Sequence, residues 1–118
     1  MEKGAGNSRL DSRVAVRLRV LVFRTSADLP ELEMVTRDLS VGGMLCESTA
    51  AVPLGEMVRL SLDLTRETGE AQPVALQAIP LRIGGSGPYA VAFHFVNAPR
   101  RVLDLIRRFV ARTLGEQA

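Results

Sequence analysis

Arg9 and Arg13 stand four residues apart in the run Arg9-Leu10-Asp11-Ser12-Arg13, directly before the first apolar alternation of the chain. A guanidinium is a planar fork of donors. It suits the paired oxygens of a phosphate and the O6/N7 edge of guanine, and it stacks on flat rings. A second cluster, Asp38-Leu39-Ser40-Val41-Gly42-Gly43, brings a carboxylate, a hydroxyl and two glycines together. Taken alone it describes a hairpin turn, in which Asp and Ser side chains bond nearby backbone amides and paired glycines supply positive φ. Taken alone, the RxxxR spacing is also ordinary, because the chain holds fourteen arginines and one lysine, and Arg13 to Arg17 repeats it.

The elements around these clusters follow from periodicity. From Val14 to Phe23 apolar and polar residues alternate, which describes one strand with Arg17 and Arg19 on its outer side. A second strand runs from near Leu32 to Leu39, Val41-Gly42-Gly43 turns the chain, and Met44 to Glu47 returns. Val58 to Leu64 alternate clearly, and the polar stretch from Thr65 to Pro73 reads as a hairpin loop. Val74 to Ile83 follow, with Pro80 implying an edge or a bulge. Gly84 to Pro88 turn the chain again, and Tyr89, Val91, Phe93 and Phe95 face inward with His94 outward. Asn97 is a helix N-cap candidate, with Pro99 in the first turn and Gly115 as a stop. Between them Val102, Ile106, Phe109, Val110 and Thr113 form one apolar stripe. The expected fold is all-β, a six-stranded antiparallel barrel with a C-terminal α-helix.

Composition narrows the function. The 118 residues are 47% hydrophobic and 24% charged with a net charge of +2, as expected of one globular domain. No apolar run is long enough for a membrane helix, and residues 1–8 read as a flexible leader without a secretory signal, so a cytoplasmic location is expected. Residues 9–114 form the expected domain and 115–118 a tail. One cysteine, Cys46, and one histidine, His94, leave no disulfide and no plausible all-protein zinc site. Cys46 reads as a small strand hydrophobe and His94 as a solvated strand residue. No triad, acid pair or P-loop is present, so no enzyme is expected. Five aromatics, mostly on inward positions, argue against a barrel that stacks single-stranded DNA or RNA.

In this order and on these elements the two clusters closely resemble the signature of the PilZ domain family. The resemblance extends over residues 9–112, through Arg13-Val14-Ala15-Val16-Arg17-Leu18, Pro53-Leu54-Gly55-Glu56, the Tyr89 to Phe95 strand and the arginine-rich terminal helix. It implies a non-catalytic receptor for cyclic di-GMP, needing no metal or other cofactor, that acts on a protein partner. In the family the second arginine of the motif immediately precedes the first strand, which favours Arg9 and Arg13 over Arg17. By this resemblance the ligand-binding residues are Arg9, Arg13, Asp38, Ser40 and Gly43, with Ser8, Arg17 and Gly42 secondary. Arg9 and Arg13 would grip guanine edges and phosphates, Asp38 would accept from guanine N1–H and N2–H₂, and Ser40 would reach base or phosphate. Gly43 would keep a side chain out of the ligand's space. Relatives with an arginine just before the motif capture two stacked ligands; Ser8 stands there, which implies one. The alternatives are a PilZ-fold adaptor that binds no nucleotide, and a basic module acting through its helix.

Overall fold

The alternation becomes strand in the computed structural model, which describes residues 12–23 and 31–117. The strands are β1 (Val14–Ala15), β2 (Arg19–Phe23), β3 (Leu32–Leu39), β4 (Gly43–Ser48), β5 (Val58–Asp63), β6 (Pro73–Gly84) and β7 (Tyr89–Val96), followed by helix α1 (Arg100–Gln117). All pairings are antiparallel, in the order β3-β2-β5-β6-β7-β4, and β4 returns to β3 to close a six-stranded barrel. β1 is one strand more, paired to β3 beyond the end of β2.

The single first strand expected from Val14 onward is therefore two pieces. Val16 to Leu18 leave the ladder and hang on the buried Thr36, whose hydroxyl donates to the Val16 carbonyl and accepts from the Leu18 amide. Alternation survives the break, because Val14, Leu18, Val20 and Val22 are all buried.

The interior is filled by Met34, Leu39, Met44, Leu60, Leu62, Leu64 and Val91, each at most 2% exposed. Helix α1 covers the barrel with Val102, Ile106, Phe109, Val110 and Thr113, the same five residues as the apolar stripe. Two helix details differ from expectation. Asn97 is not the cap: it takes a left-handed conformation (φ 51°), which Asn tolerates, and Pro99 accepts the first helical bond from Leu103. Gly115 does not stop the helix, which continues to Gln117, where the side-chain amide donates to the Ala15 carbonyl at 2.9 Å.

Two bulges break the regular ladder. On β3 the register against β4 shifts between Thr36 and Asp38, leaving Arg37 as the extra residue. Inward residues then run Met34, Thr36, Leu39, so Asp38 faces out where strict alternation would turn it in. On β6 the irregularity anticipated at Pro80 is present: the register against β7 shifts between Pro80 and Arg82, with Leu81 as the extra residue. Arg82 is turned outward in the same way.

Candidate ligand-binding site

The outward residue of the β3 bulge heads a row across the barrel's outer surface. Asp38 pairs with Leu45, Leu45 with Ala92, and Ala92 with Arg82, so all four lie on one side of the sheet. One step along, Gly43 pairs with His94 and His94 with Ile79. Glycine, alanine and leucine leave this part of the sheet low, and a groove of about 600 Å³ lies over it.

Arg13 precedes β1, whose Ala15 pairs with Asp38. Its Nη1 donates to Asp38 Oδ1 at 2.7 Å, with side chains 55% and 27% exposed. A pair this accessible is screened, and its bond is worth about 1 kcal/mol or less. It orients Asp38 at the rim and is cheap to exchange.

The turn from Ser40 to Gly43 is built by hydrogen bonds. Ser40 Oγ donates to the Gly43 carbonyl at 3.1 Å and accepts from the Gly43 amide at 3.2 Å, and the Ser40 amide donates to the same carbonyl at 2.8 Å. The hydroxyl is thus engaged in shaping the turn on the groove wall. Neither glycine has the positive φ expected of a tight hairpin turn. What Gly43 provides is proximity, since a Cβ there would run into the Phe93 carbonyl of β7. Gly42 has open space around it, and its carbonyl accepts from the Phe95 amide at 3.0 Å.

Arg13, Asp38, Ser40, Gly42 and Gly43 therefore share one groove. Arg17 does not line it: its guanidinium holds Glu47 at 2.8 Å, and Arg37 takes the other oxygen of that carboxylate at 3.2 Å. The hydrogen bond from Arg17 and the two positive charges hold the Glu47 carboxyl below its usual range. Arg9 and Ser8 lie outside the described residues.

Among the groove residues missed from sequence are Leu81, Arg82 and His94. Their contribution depends on which strands neighbour β4, which periodicity does not reveal. A usable signal existed on β6, where the inward spacing lengthens from two residues to three after Pro80. Cys46, fully buried beneath this wall, has its thiol pushed up to about 12 by burial and then by the Asp38 charge, so it is a proton-holding core residue. Among the described residues no group of three or more His, Cys, Asp or Glu could hold a metal ion, and no helix is long and apolar enough to cross a membrane.

With Arg13 and the DxSxxG turn placed on one groove, comparison with known proteins decides the family: the PilZ domain matches residues 7–112. The chain belongs to the PilZ domain family. Comparison with curated proteins finds no match. Among solved structures the Bacillus subtilis inhibitor of motility MotI/DgrA superposes with a TM-score of 0.74 at 18% identity, covering 90% of this PilZ chain and 51% of that one. YcgR from Escherichia coli in complex with c-di-GMP gives 0.72 at 18%, covering 89% and 45%. The PilZ domain of CeSA from a cellulose-synthesizing bacterium gives 0.61 at 19%, covering 90% and 98%. The chain thus spans about half the length of the first two. At these identities the likeness establishes the fold.

Proposed function

We propose that this PilZ domain is a receptor for cyclic di-GMP, a binding module without catalytic activity. The observation that carries the reading is the Arg13–Asp38 contact at the rim of a groove lined by the rest of the DxSxxG turn. It is supported by the structural similarity to a YcgR PilZ domain with c-di-GMP.

The ligand carries two guanines and two phosphates. Arg13 exchanges a weak surface ion pair for a purine edge or phosphate, which strengthens as the ligand covers it and excludes water. Asp38, freed of that pair, offers its acceptor sites to guanine N1–H and N2–H₂. The segment bearing Arg9 closes over the ligand from the Arg13 side, and the surface so formed is what a protein partner reads. Ser8 adds no positive charge, and the close phosphates of two stacked ligands repel without one, so one ligand binds per chain.

Calorimetric titration with cyclic di-GMP tests the reading. Binding at micromolar concentration or tighter, near one ligand per chain, is expected. No binding would remove the receptor reading and leave the adaptor.

A further inference from the structure

Two arginines reach the groove among the described residues, and the second is Arg82. Unlike Arg13, Arg17, Arg19, Arg37 and Arg107, it makes no ion pair among those residues. It is exposed, on the far side of the groove from Arg13, three strand spacings or about 14 Å from the Asp38 strand. The bulge at Leu81 puts it there, since strict alternation from Val74 to Pro80 would send residue 82 into the core. Bulges concentrate where a strand must re-aim a side chain at a site. Leu81 itself is 57% exposed and lines the same wall.

We infer that Arg82 is a second anchor, binding the guanine or phosphate of cyclic di-GMP that lies away from Arg13 and Asp38, with Leu81 as an apolar edge for the ring. This deepens the receptor reading and rests on it. A cyclic dinucleotide presents the same groups twice, and the Arg13–Asp38 wall can satisfy one set. An unpaired guanidinium across a floor of Leu45 and Ala92 meets the other. Its fork suits a phosphate or a Hoogsteen edge, and no carboxylate has to be displaced.

The test is calorimetry with cyclic di-GMP on the wild-type chain and on Arg82→Ala, Arg82→Gln, Arg13→Ala and Arg19→Ala, with thermal unfolding alongside. Arg19 holds Glu33 at 2.8 Å away from the groove and serves as the control. Both Arg82 variants are expected to bind about tenfold more weakly or worse at unchanged melting temperature, the scale of a lost charge-assisted contact, with Arg19→Ala unaffected. If the wild type binds, Arg13→Ala loses affinity and both Arg82 variants keep theirs, the inference is overturned and the receptor reading stands. If the wild type does not bind, both fall.

Discussion

The β3 wall and the β6 wall of the groove share a device and differ in how it ends. Each uses a one-residue bulge to turn a polar side chain outward. On β3 that side chain is Asp38, half-covered and already met by Arg13 at 2.7 Å; on β6 it is Arg82, exposed and without an ion pair among the described residues. The Arg13 hydrogen bond fixes the direction of the Asp38 carboxylate, whereas the exposed Arg82 guanidinium has no ion-pair partner among the described residues to orient it. The paired wall is pre-oriented, as the proposed recognition of a base edge requires. The open wall presents an exposed positive charge, as the proposed second anchor requires.

The largest way to break this comparison is at the paired wall. Arg13→Ala or Asp38→Ala is expected to lower cyclic-di-GMP affinity by about 2 kcal/mol or more with the fold intact, as measured by calorimetry, and unchanged affinity in both would place the site elsewhere. Next comes the backbone between the walls. Gly43→Ala sets a methyl against the Phe93 carbonyl and is expected to cost about 1–3 kcal/mol in denaturant unfolding, while Gly42→Ala, with nothing within 4 Å, stays within about 0.5 kcal/mol. Equal effects would mean that β4 and β7 do not pack this closely.

The arginine register is a smaller contrast. Arg9→Ala is expected to weaken binding more than Arg17→Ala, because Arg17 is held by Glu47 away from the groove; the reverse order in one titration series would move the site to the connection between β1 and β2. The smallest effect concerns Cys46. A thiol whose folded value is raised keeps its proton in the folded state, so its contribution is complete below the ordinary thiol range and is lost as pH rises toward about 12. Iodoacetamide at pH 8 should therefore leave Cys46 unmodified until denaturant is added, and rapid native labelling would contradict its burial.

Strands that obey strict alternation were legible, as were the helix stripe and the turns. Val58 to Leu64 and the five helix positions needed no knowledge of neighbours, because each pattern is local. The bulges were harder. A period of two that slips by one at Arg37 reads as noise in a short strand, and the slip decides whether Asp38 faces solvent or core. Pro80 betrayed the β6 bulge through its missing N–H, but not that the bulge would deliver Arg82 to the groove. The positive φ expected at Gly43 is absent, and no local pattern showed what else excludes a side chain there. The demand comes from β7, a strand some fifty residues away, and such proximity is invisible until the ring is closed.

That closed ring has a consequence for how the domain is recognised. Every strand of the six has a hydrogen-bonded neighbour on both sides, which leaves little backbone to which a foreign strand could anneal. A companion protein cannot readily zip onto this domain by extending its sheet, as many peptide-binding folds allow. Side chains on the outer surface are what the ring leaves for contact. The same closed ring offers unfolded chains little strand edge as a template.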